Sequence, residues 1–287
     1  MTTTEQPVPT GSTPDALEAD RLLKARHRAM WGLGDYPAVA TDLISDLGPV
    51  LVEAAGIGSG DRVLDVAAGS GNTAIPAALA GAQVVASDLT PELFERGRQD
   101  AAARGAELEW VEADAESLPF PDGDFDAVVS SVGVMFAPHH QATADELVRV
   151  CRPGGTIGLI NWTPEGFIGQ LFATMKPYAP PPPPGAQPPP LWGNEDHVRE
   201  LLGDRVTDLT AERKSVTVDH FGEPDGFRNY FKANYGPTIA TYRFIADDPG
   251  RVAELDQAID DLARRFDQGG GALNWEYLLL VARKRSS

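Results

Sequence analysis

The chain has 287 residues, with 24 Lys and Arg against 42 Asp and Glu, a formal net charge of −18. A chain this acidic repels phosphate backbones, which argues against a nucleic-acid partner. Its hydrophobic fraction of 42% is ordinary for a packed globular protein. No apolar run approaches the roughly 20 residues that cross a bilayer, so no membrane insertion is expected. Cys151 is the single cysteine, which leaves no intrachain disulfide and no thiolate metal site. No metal is expected. Residues 1–14 are polar and lack an apolar signal core, so secretion is not expected and the compartment assigned is the cytoplasm.

Residues 1–13 read as a disordered tail. Residues 14–33 read as a helix, with Leu17, Leu22, Leu23, Met30 and Trp31 as its apolar positions. Its basic residues Arg21, Lys24, Arg26 and Arg28 read as a solvated face. Residues 36–56 read as one further helix, because Val39, Leu43, Leu47, Val50, Leu51 and Ala54 recur at three and four. Trp31 and Tyr36 either pack these N-terminal helices (14–57) onto the core or stack near a bound cation.

The stretch 62–72 organises the rest of the chain. Val63, Leu64 and Val66 read as a buried strand, Gly69 and Gly71 as a sharp turn, and 73–80 as a helix. A strand that turns through glycines into a helix aims unpaired N–H groups at one point, which suits an anion. Asp65, at the strand end, is placed to meet a cation, so one site would serve both charges of an amino acid. Residues 83–87 form a second strand run ending in Asp88, an acid positioned to accept two ribose hydroxyls. Leu89 comes next, placed to cover a base. Thr90-Pro91-Glu92 is a helix start. Strand three spans 108–113, with Asp114 and Ala115 after it, and Asp114 suits the exocyclic amine of an adenine. Strand four spans 125–130, and Arg152-Pro153-Gly154-Gly155 reads as a tight turn into strand five at 156–161. Cys151 reads as a buried thiol at the end of a helix over about 142–151.

These segments resemble the class I S-adenosylmethionine-dependent methyltransferases, and most of all the small-molecule branch that includes ubiquinone and menaquinone biosynthesis enzymes. The family's Asp-x-Gly-x-Gly-x-Gly motif is read here as Asp65-Val66-Ala67-Ala68-Gly69-Ser70-Gly71, with Ala67 at the first glycine. Asp88 matches the second motif, 112–120 the third, 125–131 the fourth and 146–155 the fifth. Residues 27–36 and 274–280 also resemble an actinobacterial group of methyltransferases, from which no acceptor carries over. The resemblance implies S-adenosyl-L-methionine as cofactor, bound by Tyr36, Asp65, Ala67, Gly69, Gly71, Asn72, Asp88, Leu89, Asp114, Ala115 and Ser131. It also implies a Rossmann-like, doubly wound α/β fold: a mostly parallel sheet of seven strands with the last antiparallel, N-terminal helices, and a helical lid inserted between the late strands. The core would comprise 58–161, 204–221 and 273–285, and the lid 162–203 and 222–272.

Residues 132–138 come after strand four and should line the floor near the transferring methyl. His139 and His140 are next; each is placed either to take a proton from a hydroxyl nucleophile or to cap a helix. Later segments read as a helix at 165–177, a proline-rich connector at 179–190, a helix from 194 to about 202, a strand at 206–220, helices at 224–235 and 249–268, and a last strand at 274–284. The activity expected is methyl transfer to a small molecule by in-line displacement, O-methylation first and C- or N-methylation next. The competing readings are a dinucleotide-binding dehydrogenase, which lacks the third glycine of its fingerprint, and a non-catalytic S-adenosylmethionine-binding protein. A homo-oligomer stays open.

Overall fold

The computed structural model describes residues 14–286; the expected tail at 1–13 lies outside them. Three helices come first: α1 (Pro14–Trp31), α2 (Tyr36–Leu43) and α3 (Leu47–Ala55). The core then alternates through β1 (Arg62–Val66), α4 (Ala74–Leu79), β2 (Gln83–Asp88), α5 (Phe94–Arg104), β3 (Glu109–Glu112), β4 (Phe125–Ser131), α6 (His140–Val150) and β5 (Cys151–Trp162). The late chain forms α7 (Phe167–Met175), α8 (Glu195–Leu202), β6 (Val206–Val218), α9 (Pro224–Asn234), α10 (Gly236–Phe244), α11 (Pro249–Phe266) and β7 (Leu273–Lys284). No helix among the described residues is long and apolar enough to cross a membrane.

The seven strands form one sheet in the order β3-β2-β1-β4-β5-β7-β6. β1 to β5 pair in parallel, and β7 runs antiparallel between β5 and β6. The strand order reverses between β1 and β4, so the crevice beyond their carboxyl ends is where such a sheet takes a ligand. Val63, Leu64, Val128, Val129, Ile157 and Leu159 are buried across the central strands. This is why those strands read as continuous apolar runs rather than alternating ones.

Three expectations are corrected. The single helix expected over 36–56 breaks after Leu43, and Ile44 explains the break. Its carbonyl accepts both the Leu47 N–H at 3.1 Å and the Asn72 side-chain amide at 3.0 Å. A tertiary contact therefore interrupts an apolar period that runs through the break unchanged. Cys151 is not helical. It opens β5 opposite Phe125, and the pairing then jumps to Ala127 opposite Thr156. The Arg152–Gly155 segment is a bulge within that strand, with Gly154 at φ 72°, rather than a turn before it. The third correction is α10, for which no helix was expected. Its first residue, Gly236, lies against the Met30 carbonyl of α1, which a Cβ would approach to 2.3 Å.

The N-terminal helices are clamped between the sheet and the late helices. Asp35 donates its N–H to the Asn234 carbonyl at 3.1 Å, and the Tyr230 hydroxyl donates to Asp42 at 2.9 Å. Gly48 lets α3 press on the glycine turn, since a Cβ there would lie 1.8 Å from the Asn72 carbonyl oxygen. Gly48→Ala is expected to destabilise the fold by about 2–3 kcal/mol through overpacking, measured by urea denaturation. A change below about 0.5 kcal/mol, the scale of an ordinary surface substitution, would show that α3 is free to shift.

Candidate active site

The glycine turn after β1 takes three left-handed residues, Ala67 (φ 55°), Gly69 (57°) and Gly71 (89°). Asp88 holds it in place. One carboxylate oxygen accepts the Gly69 N–H at 2.8 Å and the other accepts the Thr90 N–H at 2.8 Å. Burial raises the Asp88 pKa, and these two N–H groups pull part of it back. Asp65 lies beneath the turn, 1% exposed, with its Oδ2 lacking any hydrogen-bond partner among the described residues. Burial pushes it up to about 8, partly offset by the Ala74 N–H at the head of α4 and reinforced by Asp88 nearby.

An open cavity lies over this turn, with about 680 Å³ of empty space counted out to open solvent. Of the expected cofactor residues, Tyr36, Ala67, Gly69, Asp88, Leu89, Asp114 and Ala115 line it. Asp65, Gly71, Asn72 and Ser131 do not. Asn72 is turned to Ile44. Gly71 serves packing, since a Cβ there would come 2.8 Å from the Trp110 ring. Ser131 stands at the end of β4 with a buried Oγ that has no partner among the described residues. The anion point expected at the turn is already engaged: the Gly69 N–H is bonded to Asp88, and the Gly71 N–H to the Ala68 carbonyl at 2.8 Å. α4 is also only six residues long.

The second wall comes from α1, whose Lys24, His27 and Trp31 reach the same cavity. Lys24 is not the solvated cation expected. It is buried, with its ammonium 3.0 Å from Asp114 and bonded to Glu116. Burial would raise Glu116, but Lys24 and the His139 N–H outweigh it and hold the carboxyl below its ordinary value. Asp20, Glu116 and His139 offer ligand atoms within 4.8 Å of one another, and the Lys24 ammonium supplies positive charge there. Arg28 spans Glu92 at 2.7 Å and Glu112 at 2.8 Å. Four acids that come after β2 or edge β3 thus strap α1 over the cavity. The positions 24, 27 and 31 share one helical face, a spacing legible in the sequence but not used there.

Beyond β4, Val132, Gly133, Phe136, Ala137 and Pro138 line the cavity, while Met135 is plain core. Trp31 packs edge-on against Phe136, Tyr36 and Tyr235, with ring centroids 4.6, 5.3 and 5.8 Å apart. Neither His139 nor His140 is on the lining. His139 Nδ1 lies 2.9 Å from Glu116. His140 is fully buried, its Nδ1 2.9 Å from His197 Nε2 and its ring beside Trp192. Burial first, and His197 second, push it down to about 4. A neutral core imidazole at that place explains His140 without catalysis. The imidazole on the cavity wall is His27, held below its ordinary pKa by burial and by Lys24.

The site thus fits an adenosine with a sulfonium beside it. Asp88 keeps lone pairs beyond its two backbone bonds for ribose hydroxyls, Asp65 retains an unpartnered oxygen, and aromatic faces suit a sulfonium. Residues 63–155 match the sequence profile of a family described as a methyltransferase domain. The uncharacterized protein Rv1403c of Mycobacterium tuberculosis is 58% identical over 258 residues, covering 90% of this chain and 94% of that protein. The demethylmenaquinone methyltransferase of Thermus thermophilus is 38% identical over 115 residues, 39% of this chain and 52% of that protein. The YcgJ protein of Bacillus subtilis shares the fold, with a TM-score of 0.54 at 20% identity over 83% of this chain and 98% of that chain. The chain belongs to the class I S-adenosylmethionine-dependent methyltransferases, in the family that includes Rv1403c.

The turn makes two of its properties measurable. An alanine in the left-handed region costs about 1–2 kcal/mol, and glycine loses more entropy on folding by roughly 0.5–1 kcal/mol. Ala67→Gly is therefore expected to stabilise the fold by up to about 1 kcal/mol, read as a raised urea midpoint at constant slope. The second concerns Asp65. Between its ordinary value and about 8, the folded chain keeps a proton that the unfolded chain has released. Stability contributed there falls as pH rises across that window and is lost above it. Asp65→Asn should flatten the decline in melting temperature as pH rises from about 5 to 8.5; an unaltered slope would mean that Asp65 is ionised throughout.

Proposed function

We propose that the enzyme methylates a small-molecule acceptor by in-line displacement, with O-methylation as the first assignment. The observation that carries this reading is one cavity lined both by Asp88 and Asp114 and by the Trp31, Tyr36 and Phe136 rings. In it, Asp88 would hold the ribose hydroxyls and Asp114, Ala115 and Leu89 the adenine. When bound, S-adenosylmethionine supplies a sulfonium methyl that is already activated. The protein's share is then alignment and exclusion of water. α1 contributes to both, because its ion pairs hold Trp31 against the mouth of the site.

His27 supports the O-methyl assignment: an uncharged imidazole on the wall is able to take the proton of a hydroxyl acceptor. His139 is assigned instead to holding Glu116, and through it Lys24. Residues 162–203 and 222–272 would form the lid over the acceptor. The Thermus thermophilus relative supports a small-molecule acceptor by its name. The cytoplasm is the compartment this reading assigns.

S-adenosylhomocysteine at a hundred times its Kd is expected to stabilise the protein by about 2.7 kcal/mol, with no shift from NAD at the same concentration. Asp88→Asn should weaken S-adenosylhomocysteine at least tenfold in titration calorimetry. Stabilisation by NAD alone would overturn the reading in favour of a dehydrogenase.

A further inference from the structure

Lys24 reaches the cavity wall from α1, 90 residues before the acid it meets there, and is only 9% exposed. Its ammonium stands 3.1 Å from Asp114 Oδ1 and 3.0 Å from Oδ2, and it bonds Glu116 Oε2. An ammonium has three N–H donors, and these three oxygens account for them. Lys24 therefore keeps no donor for a ligand. Glu116 is fixed in turn by His139, whose backbone N–H bonds Oε1 at 2.7 Å and whose Nδ1 lies 2.9 Å from Oε2. The cation is thus anchored through Glu116 and His139, independently of Asp114.

Asp114 is the other half of the arrangement. Its backbone closes a turn, with the Ser117 N–H on its carbonyl at 3.0 Å. That turn does not fix the carboxylate. It contributes the Glu116 N–H, 2.9 Å from Oδ1, and one bond to one oxygen leaves a side chain that is 25% exposed free to rotate. Lys24 removes this freedom by standing against both oxygens at once. A carboxylate has about four lone-pair sites. The Glu116 N–H and Lys24 engage Oδ1, and Lys24 engages Oδ2. What remains is an accepting site on Oδ2.

We propose that Lys24 is a positioning residue for Asp114, and that the pair makes the site read the 6-amino group of the cofactor's adenine and reject a base with a 6-oxo group. The proposal rests on the methyltransferase reading of the cavity, in which Asp114 meets the adenine. An amino N–H fits a carboxylate lone pair. A carbonyl oxygen would meet it lone pair to lone pair, with no donor from Lys24 to relieve the contact. Arg28 straps the same helix, but its partners are Glu92 at 2.7 Å and Glu112 at 2.8 Å. The two straps therefore separate holding α1 down from aiming the carboxylate.

The test uses the full chain in titration calorimetry with S-adenosylhomocysteine and with S-inosylhomocysteine, its counterpart with a 6-oxo base. The wild-type chain should bind the adenosyl compound at least about tenfold more tightly. Lys24→Met should bring that ratio within about threefold, chiefly by weakening the adenosyl compound. Asp114→Asn should lower the ratio too, and adding Lys24→Met to it should lower it no further, because Lys24 acts through Asp114. Arg28→Gln should keep the ratio within about twofold of wild type, whatever it does to each affinity. Should Lys24→Met not unfold cooperatively in urea, Lys24→Met with Glu116→Gln, which removes the surplus negative charge, takes its place. Equal binding of both compounds by the wild-type chain, an unchanged ratio in Lys24→Met, or an equal fall in Arg28→Gln would overturn the proposal. So would tighter S-adenosylhomocysteine binding by Lys24→Met, which would show Lys24 competing with the adenine for Asp114. Failure of the wild-type chain to bind either compound would instead overturn the reading beneath it.

Discussion

The carboxylate of Asp88 is the joint on which the rest of the site depends. It ends β2, yet its two oxygens tie down the backbone after β1 at Gly69 and its own succeeding turn at Thr90. The glycine turn carries three left-handed residues, one of them an alanine, and such a turn has little intrinsic reason to hold one shape. A buried charge-assisted hydrogen bond supplies it. The same bond fixes Asp88 on the cavity wall with its remaining lone pairs free. Organising the turn and presenting an acceptor to a nucleoside are therefore one event. The cost is a carboxylate out of water, visible as its raised pKa.

From that joint the N-terminal helices are placed by two kinds of contact. Beneath the turn, Asn72 reaches the Ile44 carbonyl and Gly48 admits the Asn72 backbone, which sets α2 and α3. Above it, Lys24 and Arg28 bring α1 to acids that come after or edge β2 and β3. The two straps differ in kind. Arg28 is exposed, where an ion pair contributes at most about 1 kcal/mol. Lys24 and Glu116 are buried, so separating them would leave a charge without a partner, at several kcal/mol. In a chain of net charge −18, Lys24 is the cation that lets Asp114 and Glu116 lie side by side at the rim. Trp31, two turns further along α1 on the same face, then packs on the cavity wall against Phe136, Tyr36 and Tyr235.

Much of this was legible beforehand, and the reason is local. Strands β1, β2, β4 and β5 announce themselves because strands buried on both faces are written as unbroken apolar runs. The acids fall at their carboxyl ends because the chain must leave the sheet there. Asp88 and Asp114 could be assigned to one ligand without coordinates, since a parallel sheet brings those ends to one rim. The misleading signals were non-local in origin. Periodicity carried a helix across Ile44, because the apolar spacing is indifferent to a side-chain amide arriving from Asn72. The end of α6 was set one residue too late, because Cys151 is equally at home at the end of a buried helix or the start of a buried strand. His139 and His140 were singled out by their place after strand four, but burial beside Trp192 and His197 decided the chemistry of His140, and Glu116 occupied His139.

The amino-acid order by itself determined the doubly wound core, the rim on which the acids gather and the class of cofactor, because each is written in the successive strand-turn-helix units of residues 62–161. Tertiary structure alone decided which of those residues stand on the cavity wall. Asp65 went beneath the turn and Asn72 went to Ile44, while Lys24 and His27 came in from a helix that precedes every strand of the sheet. The small apolar gap behind Tyr36, walled by Val39 and Trp275 among others, belongs to the second kind too. Its walls come from separate elements at both ends of the chain, and no spacing along it relates Val39 to Trp275. Only packing brings them together.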